Sequence, residues 1–203
     1  MNAIYKRTAR VGFGALGLSS ILIEIIVLSN EGVFSAFNFF SFFTILSNLF
    51  AGLFLIYFGI SNSNSNKSQL LRGAITLYML MTGVIFAVLL AGLENARLTA
   101  VPWDNLVLHY IMPIVLVLDW LFNPPTKRIS AKAVWLWAIF PIAYVVYTLI
   151  RGSIVAWYPY PFLNPATSSY QQVIVTSLVL AVFVIAVAFG LKAYANARIS
   201  KRP

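Results

Sequence analysis

The chain contains no cysteine. That removes disulfides, thiolate metal sites and a cysteine nucleophile, and it leaves the compartment unreadable from redox chemistry. Charge is scarce as well. Only 9% of the 203 residues are Asp, Glu, Lys or Arg, where a soluble domain carries about a quarter, so the charges cannot coat a water-facing globule. Five acidic residues and one histidine, His109, fall short of the ligand sets that hold zinc and its neighbours. No metal and no cofactor is expected. The short alternating segments of a membrane β-barrel are missing too.

What remains is apolar and blocky. Hydrophobic residues make up 61% of the chain. They fall into six runs of about 18 to 22 residues, the length that crosses a bilayer core of about 30 Å. The runs are 11–29, 38–60, 72–92, 104–122, 132–150 and 171–192. The expected fold is all-α, a polytopic six-helix transmembrane bundle forming a single integral membrane domain over 1–203. MNAIYKRTAR and the run behind it are read as an uncleaved first span, because the run is too long for a signal-peptide core and contains Glu24.

The net charge of +9 suggests nucleic acid until its placement is examined. Lys6, Arg7 and Arg10 precede span 1, and Lys67 and Arg72 lie between spans 2 and 3. Lys127, Arg128 and Lys132 lie between spans 4 and 5, and Lys192, Arg198, Lys201 and Arg202 close the chain. The alternate loops hold only Arg97 and Arg151. Lysine and arginine accumulate on the cytoplasmic side, so both termini are expected inside. The cations suit anionic lipid headgroups, and no nucleic-acid partner is needed. Membrane lipids are the expected partners. The small-residue start of span 1, GFGALGLSS, suits close helix packing but lacks a clean GxxxG, so it sets no oligomeric state.

Several polar residues interrupt the apolar spans. Glu24 lies in the outer half of span 1. Ser41, Thr44 and Asn48, at i, i+3 and i+7, are expected on one face of span 2. SNSNSNKSQ is a polar connector, and span 3 carries no charge and looks like packing. In span 4, Asp104 or Asn105 can cap the helix, and Pro113 withholds the amide that would serve the His109 carbonyl. Asp119 is expected to pair with Lys127 and Arg128. The stiff WYPYPFLNP stretch could fold over the outer mouth as a lid or form an interfacial aromatic belt.

Depth makes these residues informative. Thr44 and His109 each lie roughly 8–9 Å below the outer boundary at 1.5 Å per residue, and Glu24 reaches the same layer. A hydroxyl becomes a useful nucleophile when a neighbouring imidazole takes its proton. A third group commonly orients that base. Glu24, Asn48 or Asn105 could do so, with Ser41 nearby, and the amide side chains could instead steady an oxyanion. Interhelical hydrogen bonding alone would also account for such residues.

Three stretches carry a resemblance. FFTILSNLF, NLVLHYIMP and AWYPYPFL resemble motifs of the androgen-induced and androgen-dependent TFPI-regulating proteins and their prokaryotic six-span membrane relatives. That resemblance implies cytoplasmic termini, the cell membrane of a prokaryote, and an intramembrane threonine hydrolase acting on fatty acid esters of hydroxy fatty acids. It gives Thr44 as nucleophile and His109 as base, with a lipid ester as substrate. Two alternatives stand beside it. One is a small proton-coupled transporter using Glu24 and His109. The other is a non-catalytic lipid-binding protein whose polar residues only join helices.

Overall fold

The structure, a computed structural model, describes residues 3–61, 63, 65–92 and 99–200. Glu94, Arg97, Lys201 and Arg202 lie outside the described residues. Every regular element among the described residues is helical. Six helices are long and apolar enough to cross a membrane: Ala3–Asn30, Phe43–Ser61, Asn66–Leu90, Pro102–Phe122, Ala131–Val155 and Tyr170–Ser200. The architecture is that of an all-α integral membrane protein. Contacts between the helices divide the chain into two compact units, Met1–Thr126 and Lys127–Pro203.

The first unit begins with α1 (Ala3–Asn30) and the short α2 (Ala36–Phe39). The chain then turns through Phe40 and Ser41 before α3 (Phe43–Ser61) starts. Span 2 therefore begins at Phe43 rather than at residue 38. The serine explains part of the break, because its Oγ donates to Phe37 O at 2.6 Å, a local bond that competes with helix continuation. Next, α4 (Asn66–Ile85) is capped by Ser65, whose side chain accepts from Ser68 N, and it runs on into a π turn at Phe86–Leu90. The fourth span is composite. It consists of α5 (Pro102–Leu106), a π turn at Val107–Ile111, and α6 (Met112–Phe122).

Within this unit α1 lies along α3, and α4 packs on both α3 and α6. A core of Phe54, Leu55, Met79, Met112 and Leu116 fills the space between them. Lipid tails are as apolar as leucine, so van der Waals fit rather than expulsion of water holds such a core. The α1–α3 crossing is set by Gly14. A Cβ added there would lie 2.7 Å from Gly52 O and 2.8 Å from Ile56 Cγ1.

At the end of the unit where α1 starts and α6 finishes, three charges meet. Arg10 donates to Asp119 Oδ1 through Nε at 3.0 Å and Nη2 at 2.7 Å. Arg72 Nη1 approaches Asp119 Oδ2 at 3.4 Å. The Arg10 guanidinium also lies 4.3 Å from the centre of the Phe58 ring. Asp119 thus takes its cations from α1 and α4 rather than from Lys127 and Arg128. Arg10 and Arg72 are buried ion partners of Asp119, because a carboxylate at membrane depth draws the nearest long cationic side chains to itself.

The second unit is a helical pair. In it, α7 (Ala131–Val155) is capped by Ser130 and contains Pro141, and it ends at Ala156 in a left-handed conformation with φ of 53°. A 3-10 turn at Pro161–Leu163 leads to α8 (Tyr170–Ser200). The proline-rich loop folds onto its own helices. Tyr158 packs against Gly152, Arg151 lies 5.1 Å over the Trp157 ring, and Tyr160 stacks on Phe162.

Replacing Gly14 by valine is expected to lower unfolding stability in detergent by about 1–3 kcal/mol, the usual cost of overpacking. Gly12→Val, where nothing lies within 4 Å of an added Cβ, should leave it within about 0.5 kcal/mol. Equal midpoints for the two variants would refute the crossing as drawn.

Candidate functional site

The break before α3 puts Thr44 in the first turn of that helix. The Ser41–Thr44–Asn48 stripe expected on one continuous helix does not form, because Ser41 sits in the preceding turn. Thr44 Oγ1 nonetheless faces the fourth span, 3.2 Å from His109 Nε2. Both residues are buried, at 7% and 5% exposure.

The other ring nitrogen decides the tautomer. His109 Nδ1 lies 3.3 Å from Asn105 O. A carbonyl can only accept, so Nδ1 carries the hydrogen and Nε2 turns its lone pair to the threonine hydroxyl. The orienting group is the backbone carbonyl of Asn105, not its amide side chain, whose Oδ1 is buried with no hydrogen-bond partner. Phe86 closes one face of the imidazole, with ring centres 4.1 Å apart and planes 26° apart.

Span 4 owes its local shape to Pro113. In the π turn the Met112 N–H donates to Val107 O instead of Leu108 O. The next donor in π register would be residue 113, which is proline and has none. Leu108 O is therefore left without a backbone donor, and Asn48 supplies one, with Nδ2 to Leu108 O at 3.0 Å. The second hydrogen of the same amide goes to Thr44 O at 2.9 Å. Both donors are engaged, so Asn48 joins the helices at the level of Thr44 and His109 and is not available to an oxyanion. Its Oδ1 is buried without a partner.

Glu24 serves a different contact. It is 3% exposed, and both its oxygens accept from Ala100 N at 2.7 and 2.9 Å. It fastens the approach to α5 and does not orient His109. Beside it lies Asp104, fully buried. The neighbouring Ser20 hydroxyl donates to Leu16 O at 3.1 Å, and neither Asp104 oxygen receives a well-formed hydrogen bond. Among the described residues no group of three or more His, Cys, Asp or Glu is arranged to hold a metal ion.

Sequence reasoning missed Phe86, which sits in a span read as packing material, and the Leu108 carbonyl. The second had a signal, since a proline at 113 disturbs carbonyls one turn back. Only the π register moves the unserved carbonyl to 108.

No family model, no curated protein and no solved structure matches this chain.

A single histidine makes the tautomer directly measurable. Side-chain 15N spectra are expected to show one neutral ring with hydrogen on Nδ1, and Thr44→Val should move the Nε2 resonance while leaving Nδ1 in place. A ring protonated on Nε2 would rule out the arrangement described. Asn48→Leu should cost about 1–3 kcal/mol of unfolding stability in detergent, because it strands the buried Leu108 carbonyl.

Proposed function

We propose that this protein is an intramembrane threonine hydrolase that cleaves a lipid ester. The observation that carries the proposal is the 3.2 Å contact between Thr44 Oγ1 and His109 Nε2, on a ring whose Nδ1 faces the Asn105 carbonyl. The resemblance of FFTILSNLF and NLVLHYIMP to the six-span hydrolase family supports the same two residues.

In the mechanism Thr44 loses its hydroxyl proton to His109 Nε2 as Oγ1 attacks the ester carbonyl. The imidazolium then gives that proton to the departing alcohol, leaving an acyl-threonine. Water, deprotonated by the same nitrogen, attacks the acyl group. Collapse of that intermediate releases the fatty acid and returns the proton to Thr44. The N-terminal end of α3, where Thr44 sits, carries partial positive charge that favours the developing oxyanion. The lysine and arginine pattern supports an orientation with both termini cytoplasmic and the Thr44 layer toward the outer leaflet, in a prokaryotic cell membrane.

A second reading, a proton-coupled carrier, draws on Asp104, a buried carboxyl beside Glu24 without a well-formed hydrogen bond. Intramembrane ionisable residues of this kind often serve proton relays. Substrate-dependent proton uptake into vesicles that is lost in Asp104→Asn, with no ester turnover, would favour it.

The deciding experiment uses purified protein, a fluorogenic long-chain acyl ester and a fluorophosphonate probe. His109→Ala is expected to lower turnover by about 10²–10⁴-fold, the range for losing a positioned base. Thr44→Ala should abolish both turnover and probe labelling. Turnover that stays at the wild-type level in His109→Ala, or that persists in Thr44→Ala, sinks the hydrolase reading.

A further inference from the structure

The end of the first unit remote from Thr44 contains a cavity of about 570 Å³, within the roughly 300–1,000 Å³ usual for ligand sites. His109 and Asp119 stand about 15 Å apart along the fourth span, so this cavity is separate from the Thr44–His109 pair. Its walls divide by chemistry. Phe13, Leu55, Val115 and Phe122 form an apolar trough, and Lys6 and Arg10 stand with Asp119 at its polar part.

The charges there do not cancel. Arg10 and Arg72 share one carboxylate, Asp119, and Lys6 lines the same cavity. Lys6 has no acidic partner among the described residues, and Arg10 uses only Nε and Nη2 on Asp119. Nearby Arg7 is engaged elsewhere, donating to Gly59 O at 2.9 Å and Ile60 O at 2.8 Å. Net positive charge at the edge of a mostly apolar trough favours an anion there. The anion must also cover the apolar wall, so it has to be an amphiphile.

We propose that this cavity is a binding site for one anionic phospholipid, with its phosphate against Lys6 and the free Nη1 of Arg10 and one acyl chain along Phe13, Val115 and Phe122. Lipid phosphates sit where a basic juxtamembrane segment meets the bilayer surface, and Lys6 and Arg10 lie in the first turns of the first span. The Arg10 head group is pre-positioned by Asp119 on one side and the Phe58 ring on the other, so little ordering is left for binding to impose. The site does not depend on the hydrolase reading.

Native mass spectrometry of the purified full chain, titrated with phosphatidylglycerol or phosphatidylcholine, tests this. One phosphatidylglycerol should be retained in preference to phosphatidylcholine. Lys6→Gln should weaken retention about fivefold, the effect of one lysine near an anionic lipid surface. Val115→Trp, which fills the trough, should remove it. Lys192→Gln, within α8, should change nothing. Lys6 is half-exposed and its replacement leaves the fold intact, so that variant decides the matter even where Val115→Trp does not fold. Equal retention of the two lipids, or unchanged retention in Lys6→Gln, overturns the proposal. So does stronger retention of a free fatty acid, which would make the occupant a carboxylate instead.

Discussion

Asn48 donates both of its amide hydrogens to carbonyls, one in its own helix and one in the facing span, and the geometry around Thr44 and His109 depends on that pair of bonds. Lipid offers no water to an unserved carbonyl, so protein must serve it. Pro113 creates the need at Leu108, and Asn48 meets it from α3. The same amide thereby fixes the distance between the helix that carries the hydroxyl and the one that carries the imidazole. Leucine at 48 would pack as well in volume and would leave the two helices free to slide.

The π turns belong to the same account. Widened turns of this kind are frequent at functional sites because they shift the register of side chains without ending the helix. Here one wide turn carries His109 and the other begins at Phe86, and the two rings meet face to face. Close approach of the spans is possible because Gly83 lies against Pro113, where an added Cβ would come within 2.9 Å of the proline Cβ. A stacked ring on one face and a hydroxyl on one edge leave the imidazole few orientations. At the remote end of the unit the arrangement is electrostatic instead, with Asp119 drawing Arg10 and Arg72 out of the lipid.

Six spans and their approximate ends were legible because a bilayer imposes a length that composition alone reveals. The meeting of Thr44 and His109 was partly legible, because residues on two spans that enter from the same face can be counted to a common depth. The break at Phe40 and Ser41 was not, since FNFFSFFTIL holds neither glycine nor proline and nothing in its periodicity marks a turn. Asn105 was singled out for its amide, yet its backbone carbonyl makes the contact, and sequence carries no sign of that distinction. Asp119 was given to the cations nearest in sequence, whereas helix packing brought it those of two other spans. In each case the missing information was tertiary: which elements lie side by side, and at what register.

Threonine rather than serine at position 44 fits the setting. A serine rotates among three staggered positions, and in a dry site each alternative needs its own acceptor. The β-branched side chain is stiffer, so fewer rotamers compete with the one that keeps the hydroxyl toward Nε2. The base, in turn, is oriented by a neutral carbonyl instead of a carboxylate. A carboxylate would stabilise an imidazolium strongly, but placing a full charge at this depth carries a large desolvation cost. A carbonyl holds the tautomer without that cost, and the imidazolium need persist only for the lifetime of one proton transfer. Neither Glu24 nor Asp104 hydrogen-bonds the ring, whose nitrogens meet Thr44 and the Asn105 carbonyl, and Glu24 is engaged by the Ala100 amide.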